Sequence, residues 1–281
     1  MPTGRELSDK QRQSDDCAEL LQSQPEVPSS TNITNAALRQ AVMDLRSKES
    51  ELGEARQQRQ QLAAVFMIIV LYLTLYSFVI GLFYSGFWPA GVSAVASKWW
   101  VSRCLELLAL LLVIYMIFWA GLTLEGLGLT LKNWQRSVLE ALGVSAAAVI
   151  ALVLIKVAVN RVAPGIFSEL DVVNLHYFAP SYVTYAAIAP LHEFIARGAV
   201  QSTLERLFEG QYKRLMAIVV TSCLFGTLHV FTSFSLGVVA LVSSLVWGWM
   251  FSRHKSLVGV SLSHFLVGDL SGLMGYWTFF L

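Results

Sequence analysis

Side chains that could do chemistry fall in stretches otherwise made of apolar residues: His192, Glu193 and Arg197 in APLHEFIARG, His229 in LFGTLHV, and His264 with Asp269 in SLSHFLVGDL. Histidine changes charge near neutral pH, so it can take a proton from water or bind a metal through a neutral ring nitrogen. Glu193 and Arg197 are four apart, hence on one face of a helix and able to form an ion pair. Such groups at membrane depth are costly and are functional candidates by default. Alone, His229 or His264 reads as a hydrogen-bonded interior histidine, and the Glu193–Arg197 pair as a lock between helices. Three histidines on three apolar segments, one with a carboxylate beside it, predict a shared cavity, because polar groups at depth need partners. A His/Glu/His cavity can activate water by general base catalysis, or through a divalent metal such as zinc held by His192, His229 and His264. Either is hydrolysis within or at the edge of a bilayer. Glu106 and Glu125 sit near span ends, where solvated carboxylates are ordinary, and are set aside.

The elements that must position these residues are membrane helices. Of 281 residues, 55% are hydrophobic and 14% charged, well below the quarter or so that is charged in soluble domains. Apolar runs near 20 residues long predict spans at about 62–83, 104–126, 137–158, 181–204, 215–232, 235–252 and 257–278. The predicted class is therefore all-α, a polytopic membrane helix bundle of about seven spans with a polar N-terminal extension. The fifth and sixth spans, joined by FTSFS, should form a tight antiparallel hairpin. An additional re-entrant or interfacial piece is allowed near FWPAGVSAVASKWW. Segments between spans carry Arg56, Arg59, Lys132, Arg136, Arg206, Lys213, Arg214, Arg253 and Lys255 on one side, against Lys98, Arg103, Lys156 and Arg161 on the other. That bias predicts a cytoplasmic N-terminus.

Residues 1–34 read as a disordered polar tail, with PEVPSSTNIT at its end. Residues 35–61 read as a solvated juxtamembrane helix, in which Leu38, Leu45 and Leu52 fall seven apart. Glu49 and Arg56 interrupt that seam, which leaves a coiled coil and self-association through this helix as the alternative. Residues 62–119 hold the N-terminal spans and 120–281 the domain with the candidate site. A net charge of +1 argues against a nucleic-acid partner. Cys17, Cys104 and Cys223 have no paired spacing, which argues against a disulfide framework. No signal-peptide core is present in the first thirty residues.

At its polar residues the chain resembles the CPBP family of CAAX proteases and bacteriocin-processing (Abi) enzymes, to which the type II CAAX prenyl endopeptidases and lysostaphin-resistance proteins belong. That family shows EExxxR, FxxxH and HxxxN on separate membrane helices. The counterparts here are HEFIAR from His192 to Arg197, FGTLH from Phe225 to His229, and HFLVG from His264 to Gly268. Pro190 and Gly198 match the residues flanking the first motif. The resemblance covers about residues 120–278. It implies an intramembrane endopeptidase in which the first Glu of EExxxR and the His of FxxxH activate water, while the His and Asn of HxxxN form an oxyanion hole. This chain has His192 in place of that Glu and Gly268 in place of that Asn. Asp269 lies a further 100° or so around the helix, so it does not stand in for the Asn.

Carried over residue by residue, the catalytic set is His192, Glu193, Arg197, His229 and His264. The first reading is a divergent intramembrane (metallo)endopeptidase hydrolysing membrane-anchored peptides or proteins. It would be a multi-pass protein in contact with the lipid bilayer, of the kind found in a bacterial inner membrane. The alternatives are a catalytically impaired member acting as a membrane binding or scaffold protein, and a small ion-coupled transporter or sensor.

Overall fold

A computed structural model describes residues 30–84, 94–167, 172–178 and 180–277. Every regular element among them is helical. The helices are α1 (Ser30–Tyr84), α2 (Ala94–Ala120), α3 (Trp134–Val162), α4 (Pro180–Glu193), α5 (Ser202–Leu207), α6 (Lys213–Val230), α7 (Phe234–His254) and α8 (Leu257–Leu273). A π-helical segment, Phe194–Gln201, joins α4 to α5, and short 3₁₀ turns lie at Glu125–Leu127 and Leu175–Tyr177. Among the described residues, each predicted span falls largely on helix. Five helices are long and apolar enough to cross a membrane; α8 is apolar but shorter, and the fourth span is the composite of α4, the π segment and α5. Most of the re-entrant candidate around residues 87–100, and the tail before residue 30, lie outside the described residues.

The chain divides into two units, residues 1–56 and 57–281. In the first, Leu38, Leu45 and Leu52 are all exposed on helix. In the second, large apolar side chains such as Phe78, Phe118, Leu139 and Leu154 face outward, as lipid-facing residues of a multi-pass membrane protein do.

Close packing in the second unit depends on small residues. Ser233 caps α7 by accepting from the Leu236 N–H at 3.1 Å, and the connection to α6 is as short as FTSFS predicted. Across this hairpin, a Cβ on Gly226 would stand 2.7 Å from Leu241 Cβ and 2.9 Å from the Gly237 carbonyl oxygen. Small residues at a helix crossing let backbones approach when no hydrophobic drive exists between them in lipid. Gly259 does the same for α8 against α3, where an added Cβ would meet the Ser137 carbonyl oxygen at 2.3 Å.

The segments expected on one side of the membrane meet at one end of this unit. Arg59 pairs with Glu209, Lys132 with Glu125, Lys255 with Glu205 and Arg253 with Glu140 at 3.5 Å. Lys156, counted above among the charges of the opposite loops, is instead buried within α3 and donates to the Met274 carbonyl at 2.9 Å. It therefore drops out of the charge comparison, which leaves the asymmetry larger.

Candidate functional site

Pro190 lies inside α4, where its missing N–H and its ring loosen the helical hydrogen bonding. Four residues later the backbone widens into the π-helix, a feature that recurs at functional sites. Gly198 is required here: a Cβ would meet the Leu127 carbonyl oxygen at 2.9 Å and Phe194 Cδ2 at 3.0 Å. Consecutive helical residues project about 100° apart, which separates the duties of His192 and Glu193. The imidazole of His192 is partly exposed and lines a cavity, whereas Glu193 is wholly buried behind it.

Glu193 has both oxygens committed. Oε1 lies 2.7 Å from His264 Nδ1, and Oε2 lies 3.1 Å from Arg197 Nε. The second approach is too oblique for a hydrogen bond, so its attraction is chiefly charge against charge. Arg197 is fully buried as well. Its Nη2 donates to the Ser244 carbonyl at 2.9 Å and to Ser244 Oγ at 2.8 Å. Its guanidinium sits over the rings of Phe225 (5.2 Å) and Trp247 (5.8 Å), where ring quadrupoles attract a desolvated cation.

His264 is stacked on Trp247, with centroids 4.2 Å apart and planes 22° apart. The indole is held in turn by Ser263 Oγ, which accepts from Trp247 Nε1 at 3.1 Å and from Ser145 Oγ at 2.9 Å. Because a carboxylate only accepts, His264 Nδ1 carries the proton toward Glu193, and Nε2 of the neutral ring is an acceptor. His229 is fixed the same way: Nδ1 donates to the Phe225 carbonyl at 2.7 Å, leaving Nε2 with its lone pair.

A cavity of about 380 Å³ opens beside this cluster. His192 and His229 both line it, with Tyr72, Tyr76, Arg103, Glu106, Thr221 and Phe225. Glu193, Arg197 and His264 form the buried layer behind its wall; the His192 and His264 ring centroids are 6.0 Å apart and those of Phe225 and His264 5.8 Å apart. The three helices thus bring all five predicted residues together, two on the cavity and three bonded behind it.

Among the described residues, no group of three or more His, Cys, Asp or Glu side chains is arranged to hold a metal ion. Of the expected set, His192 and His229 line the cavity, whereas His264 is buried behind its wall, bonded to Glu193 and stacked on Trp247. The expected zinc set of His192, His229 and His264 does not fit this geometry, and no chemistry below runs through a metal.

Two residues outside the predicted set shape the site. Glu106, set aside above as a solvated span-end carboxylate, is instead 9% exposed and faces the cavity. Its Oε1 is 2.6 Å from Arg103 Nη2 and 3.9 Å from His192 Nε2. Glu125, by contrast, is exposed and paired with Lys132, as expected. Tyr185 occupies the space beside Gly268: a Cβ there would stand 2.5 Å from Tyr185 Cε1 and 2.9 Å from its hydroxyl oxygen. No sequence signal marked Tyr185; it is one of several aromatic residues on an apolar helix. Asp269 is half-buried.

Residues 174–268 match the family model described as Type II CAAX prenyl endopeptidase Rce1-like. No curated protein and no solved structure matches the chain. The matched stretch contains the His192–Arg197, Phe225–His229 and His264–Gly268 segments that build the cavity wall and the layer behind it. Over residues 174–268 the chain is therefore similar to the type II CAAX prenyl endopeptidase family, in the stretch that carries all three motif segments.

Proposed function

We propose that the protein is an intramembrane endopeptidase that hydrolyses membrane-anchored peptides or proteins, with its N-terminus in the cytoplasm. One observation carries this reading: two histidines from separate helices, one with a fixed tautomer, face a common cavity backed by a buried Glu–Arg–His cluster. His229 presents Nε2 as an acceptor for a water molecule in the cavity that His192 also lines. The proton leaves to a base in the cavity, and the water oxygen adds to the scissile carbonyl carbon. Glu193 is not that base, because both its oxygens are engaged and it is shut away from the cavity. It orients His264 and neutralises Arg197.

The oxyanion is the weakly served part of the reaction. Neutral His264 has no N–H to offer from Nε2, so donation from that ring requires the imidazolium, balanced by Glu193. Position 268 supplies no side chain. Loss of one oxyanion donor costs on the order of a hundredfold or more in rate, so turnover should be slow. The same observation favours a second reading, a scaffold that binds membrane peptides without cutting them.

Purified protein in liposomes, incubated with a panel of membrane-anchored peptides, tests the choice. Slow cleavage abolished in His229→Ala supports the protease. Peptide binding without cleavage in every variant supports the scaffold.

A further inference from the structure

Among the described residues lining the cavity there is one carboxylate, and the chemistry above has not used it. Glu106 comes from α2, outside the matched residues 174–268, and lines the cavity with His192 and His229. A carboxylate at the end of a span ordinarily faces water, but this one is almost wholly buried. Burying a charge is costly without compensation, and Arg103 supplies only part of it, from 2.6 Å on one side of Oε1. The other neighbour is His192 Nε2 at 3.9 Å, too far for a direct hydrogen bond. A single water placed about 2.8 Å from each atom spans that gap, a normal hydrogen-bond length on both sides. The neighbouring wall is fixed as well, since Tyr72, another lining residue, donates its hydroxyl to the Leu105 carbonyl next to Glu106.

We propose that Glu106 is the general base of this site, taking the proton of a water held between its carboxylate and His192. This rests on the protease reading above. In the forward step an O–H bond of the water breaks and its proton passes to the Glu106 carboxylate. The water oxygen bonds to the scissile carbonyl carbon, and the carbonyl electron pair moves onto its oxygen. When that pair returns, the C–N bond breaks and the Glu106 proton goes to the departing nitrogen. The products are an amine and a carboxylic acid, and Glu106 is again a carboxylate. Arg103 is a positioning residue, holding the carboxylate toward His192 and balancing its charge.

The test is cleavage of a membrane-anchored peptide by wild type, Glu106→Gln, Glu106→Asp, Glu106→Ala and His229→Ala, each reconstituted in liposomes after confirming monodisperse elution. Glu106→Gln keeps the size and removes the base, so kcat should fall about a hundredfold or more with KM within about threefold. Glu106→Asp keeps a carboxylate and should retain at least about tenfold more activity than Glu106→Gln. Added formate should restore part of the activity of Glu106→Ala, which a merely structural role would not allow. If Glu106→Gln does not fold, the Asp and formate arms decide. Wild-type cleavage abolished by His229→Ala but retained within about threefold in Glu106→Gln, or absence of formate rescue, overturns the assignment of Glu106 and leaves the protease reading standing. No cleavage by wild type overturns both.

Discussion

Replacing Arg197 by alanine removes a guanidinium that is fully buried, together with two hydrogen bonds to Ser244 and its placement over Phe225 and Trp247. What remains is a buried Glu193 that, among the described residues, keeps His264 as its partner, beside the space the side chain leaves. Breaking a buried pair by deleting one member costs about 3–5 kcal/mol, because the surviving charge is uncompensated. A loss of about 4 kcal/mol corresponds to a fall of about 8–16 °C in Tm for a unit of this size. Glu193→Gln is gentler: it keeps the volume and an acceptor for His264, and Arg197 keeps Ser244 and both rings. Its cost should be about half as large, near 2 kcal/mol. The double variant Arg197→Met with Glu193→Gln leaves no unpaired charge and should be more stable than Arg197→Ala alone. Thermal unfolding of the purified protein in one detergent, at one pH, measures all three. A Glu193→Gln protein less stable than Arg197→Ala, or an Arg197→Ala protein within about 1 kcal/mol of wild type, would refute the view that the pair is a coupled buried charge.

The remaining predictions concern packing, topology and metal. Gly268→Asn should overpack against Tyr185 and lower stability by about 1–3 kcal/mol, while adding Tyr185→Ala should recover most of it; equal melting of the two variants would contradict the contact. Restoring both altered motif positions, with His192→Glu and Gly268→Asn, therefore requires making room at Tyr185 first. Reporter fusions after Arg136 and after Arg253 should both read cytoplasmic, and an external reading from either overturns the proposed orientation. Peptide cleavage should survive exhaustive treatment with a zinc chelator, because His264 is buried behind the cavity that His192 and His229 line; loss of cleavage restored by zinc would reinstate the metal.

Much of the bundle was legible because its signals are local. Apolar run length gave the spans, and the short FTSFS link gave the α6–α7 hairpin. The four-residue spacing of Glu193 and Arg197 gave their ion pair, and the cost of unpartnered polar groups brought His264 to Glu193. The misses are tertiary. Glu106 looks like any span-end carboxylate until α2 is set against α4, and only then does its distance to His192 acquire meaning. Lys156 reads as a flanking charge because sequence does not show that the Met274 carbonyl lies within reach. Pro190 signalled a disturbance, but not that it would be absorbed as a π-helix. The zinc expectation missed a tertiary fact: three histidines on three helices suggest a ligand set, yet only His192 and His229 line the cavity, while His264 is buried behind its wall. Gly268 was visible as a departure, whereas the Tyr185 ring that fills its place was not.

The central claim is that water in this cavity attacks a peptide bond of a membrane-anchored substrate. The most direct measurement is mass spectrometry of a cleaved peptide after reaction of the reconstituted protein in ¹⁸O-labelled water. The account predicts one ¹⁸O atom in the newly formed carboxyl group, with no cleaved product from His229→Ala. A product without the label, cleavage undiminished in His229→Ala, or no product from the wild type across the peptide panel would contradict it.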